Sequence, residues 1–325
     1  MGWSRLSRWL VGRTHSGRFS DSGSRRYIRC DDVSASISPF SPSGRGPGGN
    51  CTTPWDAVRS HHRTDISRHD QYRRDFVRGP APQRGRMIRR VASQKRHLAV
   101  SQSSENFLLF SYGDYFEPGN VRWGGLRFFN DDLIHPACGF PLHFHDEIEV
   151  VSIVVAGEIR QRQGVQPLVR LRPGDVQVLS SGTGVRHVET NECPGQAHLY
   201  QVGIFPRESG LMPSHTEAAF GALPPPNELV AVASGQNKAG AILLNADATV
   251  FVGSLEPYQM IEYQMALDRC AFLYLTRGTL TVNGVDYEAG DQARIANEPE
   301  FMVGAIDHSD FVLVDVPTLG QTIRE

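Results

Sequence analysis

The sequence predicts an all-β chain of two small β-barrels in tandem, preceded by a long N-terminal extension. Three observations carry that prediction. From Phe107 onward, short Val- and Ile-rich runs alternate with Gly- and Pro-containing turns at regular spacing, the pattern of a β-sandwich or barrel. The second half repeats turns of the first: Arg277-Gly278-Thr279 answers Ala156-Gly157-Glu158, and Ala289-Gly290-Asp291 answers Pro173-Gly174-Asp175. A length of 325 residues suits two domains, or one with a less ordered part, and the composition breaks near residue 87.

The extension comes first. Residues 1–86 hold 16 Arg, no Lys, seven Asp and no Glu, whereas residues 87–325 hold 17 basic and 28 acidic residues. Ser34 to Pro54 is mostly Ser, Pro and Gly, which cannot bury enough surface to offset its ordering entropy, so residues 1–86 are expected to be disordered. The basic runs could bind nucleic acid, but no aromatic interleaving or recognisable module accompanies them, which argues against that partner. The acid-free, Arg- and Ser-rich first twenty residues would suit a mitochondrial transit peptide. The expectation adopted is that residues 1–86 lie outside the functional protein, as translated GC-rich upstream sequence, with Met87 the natural start.

The strands follow in order. Phe107 to Pro118 is aromatic and reads as packing at a core edge. Leu126 to Asn130 reads as a strand, and Glu147 to Gln163 as two strands bent at Gly157. Leu168–Leu171 and Val176–Leu179 bracket the Pro173-Gly174-Asp175 turn, and His187–Asn191 with His198–Phe205 close the first barrel. Arg207 to Gln236, with Pro224-Pro225-Pro226, is expected to be a linker. Ala241–Leu244, Thr249–Leu255, Met260–Met265, Ala271–Arg277 and Thr279–Val282 build the second barrel, with Asn283-Gly284 as a hairpin turn. The expected division is extension 1–86, first barrel 87–206, linker 207–236 and second barrel 237–325.

Cys30, Cys51, Cys138, Cys193 and Cys270 are odd in number and include no Cys-x-x-Cys, which argues against a disulfide framework and for a reducing, cytoplasmic location. No run approaches the 18 apolar residues of a membrane span, so no membrane partner is expected.

The chemistry concentrates between Gly139 and Asn191. Gly139-Phe-Pro-Leu-His143-Phe-His145 and His187-Val-Glu189 each space their candidate ligands by one residue. Residues i and i+2 of a strand share a face, so two neighbouring strands could aim three imidazoles and a carboxylate at one point. That donor set suits a divalent transition metal, and histidines with a carboxylate and open positions are the pattern of non-haem iron oxygenases. A lone His-x-His is more often a pair of hydrogen-bonded histidines; the second His-x-Glu after a Pro-Gly-Asp turn is what makes metal the better reading. Glu149 competes with Glu189 for the carboxylate role. A strand continued from His145 puts it on the same face but about 13 Å further along, and a charge at the barrel rim is its alternative role.

These residues resemble a known family. Gly139-Phe-Pro-x-His143-x-His145-(x)3-Glu149-(x)7-Gly157 resembles the first cupin motif, and Pro173-Gly-Asp with Gly184-(x)2-His187-(x)3-Asn191 resembles the second. The His187-x-Glu189 ending and the Ser181-Gly182-Thr183-Gly184 turn are similar to the pirin branch, and the resemblance runs from Met87 to about Pro317. It implies a bicupin. It also implies that His143, His145, His187 and Glu189 bind a metal, Fe(II) first and Mn, Ni, Cu or Zn as alternatives. The activity it implies is that of a quercetin 2,3-dioxygenase, with O2 and an aromatic, flavonol-like small molecule as substrates and Glu189 as catalytic base. The other function it implies is a redox-switched, metal-dependent binding or regulatory module without turnover, whose protein partner nothing in the sequence encodes. Phe140, Pro141 and Phe144 could line an apolar entrance. In the second half, the offsets of the four ligands land on Gln264, Ala266, Val303 and Ala305, and His308 alone does not restore a site. One metal per chain is therefore expected.

Overall fold

The computed structural model describes residues 87–163, 168–221 and 224–319, so the disorder expected of residues 1–86 lies outside the described residues. The first half carries β1 (Met87–Val91), β2 (His97–Val100), β3 (Ser104–Leu108), β4 (Leu126–Ile134), β5 (Cys138–His145), β6 (Glu149–Ala156), β7 (Ile159–Gln163), β8 (Val169–Leu171), β9 (Asp175–Ser180), β10 (Val185–Asn191), β11 (Ala197–Ile204) and β12 (Ser214–Ala219). The second carries β13 (Glu228–Ser234), β14 (Ile242–Leu243), β15 (Thr249–Leu255), β16 (Met260–Gln264), β17 (Arg269–Arg277), β18 (Thr279–Val282), β19 (Val285–Glu288), β20 (Gln292–Ala296), β21 (Glu300–Ala305) and β22 (Ser309–Pro317). One short 3-10 turn, Ser93–Lys95, is the helical element among the described residues. The chain is an all-β bicupin.

Each barrel pairs a seven-stranded sheet with a four-stranded one. The first combines β12-β9-β6-β11-β4-β3-β2 with β5-β10-β7-β8; the second combines β1-β20-β17-β22-β15-β13-β14 with β16-β21-β18-β19. The sequence pattern follows this layering. Strands of the four-stranded sheets face a barrel interior on one side and solvent on the other, so β10 alternates between buried and partly exposed residues. Central strands of the seven-stranded sheets are covered on both faces, and β15, Thr-Val-Phe-Val-Gly-Ser-Leu, is buried throughout. The cover on the second face is the other barrel. Phe129 lies 5.5 Å from Phe272 and 5.0 Å from Tyr274 between ring centroids, and these residues belong to one apolar cluster drawn from both barrels.

Two parts of the chain depart from the expected division. β1 pairs antiparallel with β20, from Met87 against Ala296 to Val91 against Gln292, so the first strand completes the second barrel's sheet. Arg90 secures it with an ion pair to buried Asp291 at 2.6 Å. The stretch 207–236 is not a simple linker. β12 adds an edge to the first barrel by pairing with β9, and β13 pairs with β15 in the second. β12 reads Ser-His-Thr-Glu-Ala-Ala, with little β-forming character, and its pairing comes from an available sheet edge rather than from its own pattern.

The two interiors differ in kind. The second is one continuous apolar cluster around Leu273, Leu313 and Phe301. The first holds two small apolar clusters, one around Leu199 and Ile159 and one around Phe128 and Leu179. Between them lies a buried polar layer that includes Asn130, Asp132, Gln161, His187, Glu189 and Gln201. Part of it is a cross-strand row, Asn130–Gln201–Ser152–Gln177, in register across β4, β11, β6 and β9. The matching row of the second barrel is Phe251–Leu313–Leu273–Ala293.

Candidate metal centre

β5 and β10 lie side by side and antiparallel. His143 stands directly opposite His187 and His145 opposite Val185, after which the register shifts between His187 and Glu189. The pairing brings three imidazoles together. His143, His145 and His187 offer ligand nitrogens within 4.8 Å of one another, the one such group of three or more candidate ligands among the described residues. Their ring centroids are 4.2 to 5.1 Å apart. His143 Nε2 lies 2.8 Å from His187 Nε2.

The surroundings favour the ligating forms of these rings. His143 Nδ1 donates to the Pro141 carbonyl oxygen at 2.9 Å, which leaves Nε2 with its lone pair free. Burial lowers the His143 pKa below the ordinary imidazole value. Burial, with the charges of His143 and His145, lowers that of His187 to about 2. Both rings are neutral at pH 7, so an arriving cation displaces no charge-bearing proton from them. The donor set therefore fits a divalent transition metal.

Glu189 lies outside that group of three nitrogens. It is buried on the same face of β10, but the shifted register sets it opposite Phe140. Gln201 Nε2 donates to its two carboxylate oxygens at 3.2 and 3.0 Å. Its Oε1 is 3.9 Å from His187 Nδ1, the ring nitrogen other than the one facing His143. Burial raises its pKa to about 7, against the hydrogen bond from Gln201. Burial raises Asp132 well above the carboxylate range, with Asp131 and Glu189 adding to the effect, although Asn106 donates to it at 2.6 Å.

Glu149 is no competitor. A turn at Asp146–Ile148, with Glu147 at φ 51°, ends β5 and starts β6 in the opposite sheet. Glu149 accepts from Ser180 Oγ at 2.6 Å and from the Asn245 backbone N–H at 3.1 Å, tying the first barrel to a loop of the second. Its placement on the far sheet, rather than along a continued β5, is what the sequence spacing could not show. Of the expected entrance residues, Phe140 packs against the Leu199 cluster, whereas Pro141 and Phe144 are exposed. Arg186 lies over the Phe144 ring at 5.3 Å.

The second barrel needs one correction of register. Ile261 opposes Val303 as His143 opposes His187, so Ile261 and Tyr263, not Gln264 and Ala266, stand where the histidines are. Val303 and Ala305 are buried in the apolar core as expected. Tyr263 spends its hydroxyl on Asp315, donating at 2.5 Å.

Sequence reasoning missed the polar layer itself. Asn130, Asp132, Gln161 and Gln201 sit in otherwise apolar or mixed strands, and a polar residue at an inward position of a buried strand was the available signal.

The family model described as Pirin matches residues 89–204, and that described as the quercetinase C-terminal cupin domain matches residues 231–316. A pirin-like protein of Caulobacter vibrioides is 35% identical over 207 residues, covering 63% of this chain and 89% of the relative. The chain belongs to the pirin family. Among other relatives, a quercetin 2,3-dioxygenase of Escherichia coli is 28% identical over 209 residues, covering 64% of this chain and 89% of its own. A bacterial pirin of Escherichia coli, solved in complex with nickel(II), superposes with a TM-score of 0.68 at 26% identity, over 72% of this chain and all of that one. No helix among the described residues of this pirin is long and apolar enough to cross a membrane.

Proposed function

We propose that this pirin is a metal-dependent oxygenase of the quercetin 2,3-dioxygenase type, taking O2 and a flavonol-like small molecule. The observation that carries the proposal is the convergence of His143, His145 and His187 within a polar layer of one barrel, beside an apolar second barrel. The names of the quercetin dioxygenase relatives supply the substrate class. A divalent metal, when bound, would supply Lewis acidity toward vicinal oxygens of the substrate and, if redox-active, electrons for O2 chemistry. Fe(II) is the proposed metal, with Mn, Ni, Cu or Zn as alternatives, at one per chain.

The residues do the rest. His143, His145 and His187 hold the metal, and Glu189 is proposed as the carboxylate of the centre, both fourth ligand and base. In the metal-free protein burial raises the Glu189 pKa to about 7, and a metal bound beside it would favour the ionised form that accepts a proton from a substrate hydroxyl. The apolar clusters on either side of the layer exclude bulk water from that transfer. The proposed compartment is the cytoplasm, which agrees with free Cys193 and Cys270.

The test is oxygen consumption on a flavonol panel together with metal analysis of the same preparation. Cleavage with about one metal per chain is expected, and Glu189→Gln should lower turnover by roughly 10²–10⁴-fold while retaining much of the metal. A protein that binds metal yet consumes no oxygen with any flavonol would instead be the metal-dependent binding module.

A further inference from the structure

The four-stranded sheet of each barrel has an outer face, and the two faces carry opposite charge. On the first, Arg160 and Arg162 of β7, Arg170 of β8 and Arg186 of β10 take the outward positions, alternating with buried Ile159, Gln161, Leu171 and His187. No acidic residue stands at an outward position of β5, β10, β7 or β8. On the second, Glu262 of β16, Glu300 of β21, and Asp286 and Glu288 of β19 are outward and exposed. No basic residue stands at an outward position of β16, β21, β18 or β19.

The charges of the first face are not balanced within it. Arg160 stands directly opposite Arg170, and like charges across a strand pair destabilise a sheet. Glu158 accepts from Arg160 Nε at 3.0 Å and lies 3.4 Å from Arg172 Nε, while Glu192 also pairs with Arg160. Counter-charge thus comes from the strand ends, and Arg162 and Arg170 remain exposed. Each face also shows solvent an apolar side chain that a contact would bury, Leu142 at 62% exposure on the first and Met260 at 68% on the second.

The fold sets these faces apart. The barrels meet through their seven-stranded sheets, whose side chains form one apolar cluster, so the four-stranded sheets lie on far sides and look away from each other. The described molecule is basic at one end and acidic at the other. One copy cannot bring its own two faces together, whereas two copies can.

We propose that this pirin associates head to tail, the arginine face of one copy docking on the acidic face of the next. The chain itself supplies an occupant that matches in charge, in strand order and in having an apolar residue to cover. Opposite charge speeds the encounter and fixes which face meets which. Four strands about 4.8 Å apart and about five residues long make a face of roughly 20 by 17 Å, so the contact belongs to the small, transient class. Because the two faces differ, each added copy leaves one of each kind open, and association does not stop at two copies. The histidines are on the inner side of β5 and β10, so the inference is independent of the metal reading.

Sedimentation equilibrium of the full chain tests it, in salt of about 0.01 M and about 1 M, where the Debye length is about 30 Å and about 3 Å. Weight-average mass should rise with protein concentration in low salt and return to that of one chain in high salt. Arg162→Glu with Arg170→Glu should weaken low-salt association roughly tenfold or more, as should Asp286→Lys with Glu288→Lys in a second protein. Mixed together, the two variants should form mixed dimers and go no further, because each keeps one intact face; that result also shows that both are folded. A mixture that does not associate overturns the inference, as does wild type that remains one chain at every concentration in low salt. If such a wild type retains a DNA duplex through Arg162 and Arg170, the face serves a polyanion and not a second copy. Residues 1–86, with 16 Arg and seven Asp, give the last outcome. Association lost on reversing the acidic face but untouched on reversing the arginine face would make that extension the occupant, and would overturn the inference as well.

Discussion

At the scale of single residues, the centre depends on what each buried group does with its proton. His145→Ala removes one of three converging donors, and purified protein should then carry almost no metal by elemental analysis. Glu189 gives a second expectation, in the metal-free protein. Its pKa is raised from an ordinary 4.5 to about 7 by burial, so folding favours the neutral acid. A raised carboxylate pKa contributes stability that is present below 4.5 and lost as pH rises through 7. The loss amounts to about 3 kcal/mol, at roughly 1.4 kcal/mol per pKa unit. Glu189→Gln cannot ionise. Urea denaturation of chelator-treated protein should therefore show the variant gaining on wild type by about that amount between pH 4.5 and 8. A constant difference across that range would mean that Glu189 is already ionised in the folded protein.

At the scale of elements, the centre is a property of how β5 lies against β10. Gly139 stands opposite Thr190 next to the register shift, and a Cβ added there would collide with the Glu189 carbonyl oxygen and come within 2.8 Å of Thr190 Cα. Both are backbone atoms, so the strands must separate to admit it. Gly139→Ala should cost about 1–3 kcal/mol in denaturant unfolding, the usual range for overpacking, and should weaken metal binding because β5 carries His143 and His145. Gly184 closes the other end of the same pair. Its φ of 127° disfavours any side chain, and a Cβ there would meet the Phe144 ring at 2.7 Å. The outward-facing apolar residues of β5 thus have a packing role in holding the strand that bears the ligands.

At the scale of the whole molecule, the two barrels are joined more closely than tandem domains on a linker. Their seven-stranded sheets share one apolar cluster. Beside it, Asp131 on β4 accepts from His198 Nε2 at 2.7 Å and from the Tyr274 hydroxyl of the second barrel at 2.6 Å, with Arg96 donating to that same hydroxyl at 2.7 Å. Unfolding of a chain of residues 87–325 should be a single cooperative transition in calorimetry, with the melting temperature of the full chain and one metal bound. Two separated transitions would show that the shared cluster does not couple the barrels. Residues 207–325 expressed alone should fail to fold stably, because β1 is missing from their sheet and the shared face is exposed.

The class of fold and the three histidines were legible in the sequence. Strand alternation, Gly and Pro punctuation and the i, i+2 spacing of His143 and His145 are local properties, and local geometry needs no partner to be read. Glu149 shows where that reasoning ends: its distance from His145 is short along the chain, but a turn sends it to the opposite sheet. The same holds for the second barrel, where counting from a turn reached Gln264 and Ala266 while the pairing of β16 with β21 puts Ile261 and Tyr263 in their place. That β1 belongs to the far barrel, that Glu189 is held by Gln201, and that Gln161 reaches His187 emerged only from the folded chain. Each of these is a contact across strands far apart in sequence, set by register and by the exclusion of water from a shared interior, and none is written in the spacing of residues along one strand.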